Sequence, residues 1–277
     1  MTFARRSLTW LLALAIVIGV LVTVGLISLV SSFLFRDQPG AKSLDQALAE
    51  FRSGGTIDPS IGAEASLPPE GVYSASGTGS ASISFPPASQ KYGTTIPVTI
   101  THDGDSCWTS SVAFNSAFEQ SWNYCIVDGA LVERGDITRV EWDLGPVSIT
   151  NTTTFDCDAT AALITPGQTS GRSTDLICMG RGDEVAGETT SQVHFESVGV
   201  ETLQLETMSI PTFHFIETDT LSGAQRGTTR IDVWYSVEEF LLIRMERQVD
   251  LRTDSPVGTI EYTENGEWQL DSTDVLR

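Results

Sequence analysis

Three histidines, four cysteines, six tryptophans and 36 acidic residues are the side chains from which this 277-residue chain would have to build a site. His102, His194 and His214 stand in no His-x-x-x-His or His-Glu-x-x-His arrangement, so two imidazoles do not share one helix face as a zinc site needs. No Gly-x-Ser-x-Gly elbow raises a nucleophilic serine. Gly77-Thr78-Gly79 and the glycines at 180 and 182 precede no helix, and so form no phosphate cradle. Asp103/Asp105 and Asp156/Asp158 offer oxygen ligands of the kind calcium takes. Neither pair sits in a twelve-residue loop with a closing Glu, and Asp103-Gly104-Asp105 reads as a hairpin turn. Two carboxylates for glycosidic chemistry are not singled out among 36 by spacing alone. No catalytic residue, metal ligand or cofactor is therefore assigned.

Cysteines and tryptophans say more. Cys107, Cys125, Cys157 and Cys178 make an even set with no Cys-x-x-Cys, which suits structural disulfides better than redox chemistry. Three connectivities exist, and Cys107–Cys125 with Cys157–Cys178 is favoured because each pair flanks a short, hairpin-like loop. Trp108, Trp122, Trp142 and Trp234 fall on expected strands. They are candidate groove aromatics for an apolar or lipid-like ligand, with packing in the core as the alternative.

The elements that must position these residues begin with an uncharged run, Ser7 to Phe35, behind Arg5 and Arg6. As a helix it reaches roughly 43 Å, more than the ~30 Å of a bilayer core. The run is about twice a signal-peptide core and closes on no Ala-x-Ala, which reads as an uncleaved anchor. The two arginines keep residues 1–6 cytoplasmic, make 7–35 the transmembrane signal anchor and place the rest outside the cell. Residues 36–70 form a short helix and linker. Ser43-Leu44-Asp45-Gln46 is a capping box, and Leu44, Ala47, Leu48 and Phe51 mark an amphipathic helix over 44–53. Residues 71–277 form the extracytoplasmic β domain.

Beyond Phe35 there are 14 Lys+Arg against 36 Asp+Glu, a net charge of −22 that repels nucleic acid and anionic headgroups. From Gly71 onward the pattern has period two. Strands are expected at 72–84, 95–102, 107–115, 118–127, 130–142, 147–157, 173–179, 190–206, 209–221, 228–236, 240–251 and 257–271. Asp103-Gly104, Asp128-Gly129 and Asn265-Gly266 suit tight hairpins. The expected fold is mainly β: one large curved antiparallel sheet, as a half-barrel or open barrel, with a β-sandwich as the alternative.

Gly71-Val72-Tyr73, Cys107-Trp108, Gln120-Ser121-Trp122-Asn123-Tyr124-Cys125, Thr154-Phe155-Asp156-Cys157, Leu221-Ser222-Gly223-Ala224-Gln225 and Asp232-Val233-Trp234-Tyr235 together resemble an uncharacterised family of signal-anchored envelope proteins from actinobacteria. That resemblance implies an envelope location and shared disulfides, and brings no activity with it. Residues 227–244 also resemble the last part of half-barrel, lipoprotein-carrier-like envelope proteins. This chain has Val237-Glu238-Glu239-Phe240 at the turn, where that group carries a Gly. The functional expectation is a single-pass envelope protein whose β domain binds an apolar ligand or an envelope partner. An extracytoplasmic hydrolase and a purely structural component are the alternatives.

Overall fold

Alternation carried through so many consecutive segments forces each strand to bury one face. The computed structural model describes residues 38–54, 67–145, 147–158, 161–165, 170–206, 208–256 and 258–277. The expected cytoplasmic tail, the 7–35 anchor and most of the linker lie outside them. Among the described residues no helix is long and apolar enough to cross a membrane. The chain divides into two compact units. Of one, only part of the 143–149 turn is described, where the Leu144 N–H donates to the Val147 carbonyl at 2.9 Å. The other comprises Gln38–Trp142 and Thr150–Arg277.

Its helix α1 spans Leu44–Gly54. Its start is a reciprocal cap: the Gln46 N–H donates to Ser43 Oγ at 3.1 Å and the Ser43 N–H to Gln46 Oε1 at 3.0 Å. The strands are β1 (Gly71–Ser84), β2 (Pro87–Lys91), β3 (Ile96–Asp103), β4 (Cys107–Asn115), β5 (Phe118–Val127), β6 (Ala130–Asp143) and β7 (Ser148–Cys157). After them come β8 (Ala162–Ile164), β9 (Ser173–Gly182), β10 (Thr189–Gln204), β11 (Ser209–Gly223), β12 (Gln225–Ser236), β13 (Leu242–Ser255) and β14 (Gly258–Leu270).

Hydrogen bonding runs β1-β3-β4-β5-β6-β7-β9-β10-β11-β12-β13-β14, and β14 pairs back onto β1 from Ala75↔Leu270 to Ile83↔Tyr262. The result is a twelve-stranded closed antiparallel barrel, with β2 added on β1 and β8 on β6. This corrects the expectation of a half-barrel or open barrel and its sandwich alternative. The first and last long strands match over nine positions, and closure removes the unpaired edges that an open sheet exposes. Glycine makes room at the seam. Gly79 lies opposite Gly266, and a Cβ on Gly79 would stand 2.5 Å from the Tyr92 ring that packs over both.

Both disulfides join residues directly opposite on neighbouring strands: Cys107–Cys125 across β4/β5 and Cys157–Cys178 across β7/β9, each with Cα atoms 4.0 Å apart. These are the favoured pairs. Cys178 shares the buried face of β9 with Leu176 and Gly180, whereas Cys107 and Cys125 are half-buried on the outward phase of their strands.

Candidate functional site

The barrel interior has two unlike halves. Toward the Gly71 and Leu270 end, the inward side chains of Tyr73, Ile100, Trp108, Leu131, Tyr235 and Trp268 are all buried. β8 sets the buried Ile164 opposite Leu131. Toward the other end the inward positions Thr138, Phe155, Leu251, Thr253, Ile260 and Tyr262 keep part of their surface accessible. Glu133 and Asp136 on β6, and Glu217 and Asp219 on β11, do likewise. These four carboxylates are enclosed by protein yet only partly covered, as groups lining an interior space are.

Local backbone explains how they converge. Glu217 and Asp219 follow ordinary alternation, in phase with Phe213, Phe215 and Leu221. Glu133 and Asp136 are three residues apart and would point to opposite faces of a regular strand. A register shift against β5 intervenes: Trp122 pairs with Asp136, Asn123 with Gly135, and Tyr124 with Glu133. Gly135 holds φ +142°, and a Cβ there would collide with the Phe155 carbonyl oxygen. The bulge therefore needs glycine, and it turns both carboxylates inward.

Cationic charge in this layer is scarce. Arg247 faces inward on β13, and its Nε stands 3.2 Å from Glu264 Oε1. It also donates to Gln120 Oε1. Glu264 is covered further by the hydroxyls of Tyr92 and Tyr262, the latter at 2.6 Å. Among the described residues the other four carboxylates share one donated bond from outside their set, Gln120 Nε2 to Asp136 Oδ2 at 3.2 Å, and a hydroxyl contact from Thr138 to Asp136.

Their acidities follow. Burial pushes Asp136 up to about 6 against the opposing help of Gln120, Arg247 and Thr138. Burial, reinforced by the charge of Asp136, pushes Asp219 up to about 7. Glu133 and Glu217 rise well above the usual carboxylate range, first through burial and then through repulsion from the neighbouring acids. Tyr124 and Tyr235 join hydroxyls at 2.9 Å, and burial raises both. Such a set can hold protons at neutral pH, accept hydrogen bonds, or neutralise a cation. Among the described residues no three acidic, His or Cys side chains converge as ligands for one metal ion.

The four candidate groove tryptophans are dispersed and buried. Trp108 is 2 % exposed beside Tyr124, and Trp122 is 4 % exposed opposite Asp136. Trp142 is 6 % exposed, edge-on to Tyr262. Trp234, also 6 % exposed, lies on the outward phase of β12. There it stacks on His214 at 4.2 Å under the Arg244 guanidinium at 5.0 Å. Glu201 accepts from Trp234 Nε1 at 3.1 Å and contacts His214 Nδ1 at 3.1 Å, while Asp232 Oδ1 lies 3.3 Å from His214 Nε2. Hydrogen bonds from Trp234 and His214 hold the Glu201 carboxyl below its usual range. This outer ladder is satisfied within itself and ties four strands together. A separate outer cleft of about 380 Å³ lies between α1 and β3–β5, where Lys42 already pairs with Glu50 and Glu119.

Sequence reading missed the acid floor. The available signal was charge in the buried phase of a strand: Glu217 and Asp219 between Phe215 and Leu221, and Arg247 between Met245 and Val249. Comparison of the chain with protein-family models, curated proteins and solved structures found no match.

Proposed function

We propose that this chain is a binding module of the cell envelope, tethered by the apolar run 7–35, with the acid-floored half of its barrel as the ligand site. The single observation that carries this reading is the contrast between the two halves. One is packed throughout with aromatic and aliphatic side chains, while the other, which also buries Phe118, Val140 and Trp142, leaves inward-facing carboxylates partly accessible. A barrel with a purely architectural role gains most by packing its whole interior, since each buried aromatic contributes ~2–3 kcal/mol. Ionisable groups left in an enclosed, incompletely filled space cost stability, and sites of function are where that cost recurs. The acidic exterior argues against nucleic acid as a partner.

The test is native mass spectrometry of the full chain extracted in mild detergent, paired with a fluorescence titration of its tryptophans by whatever is released. A co-purifying small molecule that rebinds saturably supports the reading. A bare protein mass, with no saturable response to extracted envelope small molecules, leaves the structural role.

A second reading, an extracytoplasmic hydrolase, is favoured by one observation. Burial raises Asp219 to about 7 and pushes Asp136, Glu133 and Glu217 upward as well, the direction in which a general acid must be moved. Turnover of an ester or glycoside that disappears in Asp136→Asn would establish it.

A further inference from the structure

We propose that the acid floor of the barrel binds the protonated amine of a small organic cation. This rests on the binding-module reading above and names its ligand class. Four carboxylates from two strands, Glu133 and Asp136 on β6 and Glu217 and Asp219 on β11, meet in one enclosed layer with Arg247 as their nearby cation. Arg247 lies near enough to favour ionisation of Asp136, Glu217 and Asp219, but it is one cation, already held by Glu264 and Gln120, among five carboxylates, so the layer carries net negative charge whenever its acids ionise. An enclosed charge without a partner is costly, and a cation that enters relieves it where a neutral molecule of the same shape does not.

Two unpartnered atoms point to a ligand that brings hydrogen-bond donors. Asp219 Oδ1 is buried and accepts no hydrogen bond among the described residues. On β10, Ser191 faces inward, is 5 % exposed, and its Oγ has no partner. Ser191 pairs with Leu221, two residues along the same inner face from Asp219, whose own partner is Val193. The two orphaned oxygens thus flank one stretch of the β10–β11 pair, from two strands. An ammonium presents three N–H donors on a compact charge and can serve acceptors that diverge in this way. A bare metal ion needs ligands converged at one point, and no three acidic, His or Cys side chains among the described residues do so. The partly exposed Phe155 and Tyr262 provide apolar and aromatic surface for the remainder of the molecule.

The experiment titrates the full chain at about pH 8 with three probes of one shape: benzylamine, benzyl alcohol and benzoate. The amine is protonated there. Benzylamine should bind saturably and at least about tenfold more tightly than benzyl alcohol, with benzoate weakest. In Asp219→Asn, and separately in Asp136→Asn, the ratio of amine to alcohol affinity should shrink towards parity. Equal affinity for amine and alcohol in the wild-type chain overturns the cation class and leaves the binding barrel standing. Absence of saturable binding by all three overturns both.

Discussion

Replacing Asp219 by Asn should stabilise the barrel, and by an amount that depends on pH. Asn keeps the shape of the side chain and removes its charge. Asp219 titrates near 7 in the fold against 3.8 for an ordinary aspartate. The fold therefore favours its protonated form. Stability from this group is fully present below about pH 4 and is lost as pH rises through about 7. The gap is about three units, and each is worth ~1.4 kcal/mol, so above pH 8 the ionised carboxylate costs roughly 4 kcal/mol. Asp219→Asn should recover most of that at pH 8 and almost none at pH 4. Its removal also relieves Glu133 and Glu217, which it repels. Urea unfolding of the full chain, followed by tryptophan fluorescence at both pH values, reads the difference directly. A variant no more stable than wild type at pH 8, or stabilised equally at pH 4 and pH 8, would refute the placement of this carboxylate.

Gly135→Ala must put a Cβ at φ +142° against the Phe155 carbonyl oxygen, and should cost at least about 2–3 kcal/mol. Gly104→Ala, at φ +75° with nothing within 4 Å, should cost ~1 kcal/mol, and thermal unfolding that ranks the two equally would contradict the bulge. Non-reducing peptide mapping should find Cys107–Cys125 and Cys157–Cys178 as the linked pairs. The linked residues lie 18 and 21 positions apart, so each bond should be worth roughly 3 kcal/mol. N-terminal sequencing of protein taken from membranes should begin at Met1 or Thr2; a start between residues 30 and 60 would remove the anchor.

Much of this architecture is legible in the chain because period two is a local signal. Twelve segments expected from alternation correspond to the twelve barrel strands, and the capping box at Ser43 sits at the start of α1. β2 and β8 are missing from that reading because they are only 5 and 3 residues long, too short to show a period. Closure is not legible at all. It depends on β1 meeting β14 across nearly the whole domain, and alternation is the same in a closed sheet and an open one. The acid floor was half legible. Glu217 and Asp219 stand in the apolar phase of β11, a local anomaly that sequence displays. Glu133 and Asp136 share a face only because Gly135 breaks the period, and a bulge glycine in sequence looks like any other. Tryptophans gave the opposite lesson. Their size drew attention to them as lining, and the same size makes them the best material for filling a core.

A barrel packed in one half and accessible with an acidic lining in the other should reveal itself in cysteine labelling. Thr138→Cys sits on the partly exposed acidic side, and Ser110→Cys on the inner face of β4, where Ser110 is 1 % exposed. In the folded, full-length protein the cysteine at 138 should react with a methanethiosulfonate carrying ethylammonium, and faster than with its anionic ethylsulfonate counterpart. The cysteine at 110 should react with neither until the protein is unfolded. Equal protection at both positions, or faster labelling at 138 by the anionic reagent, would contradict the account.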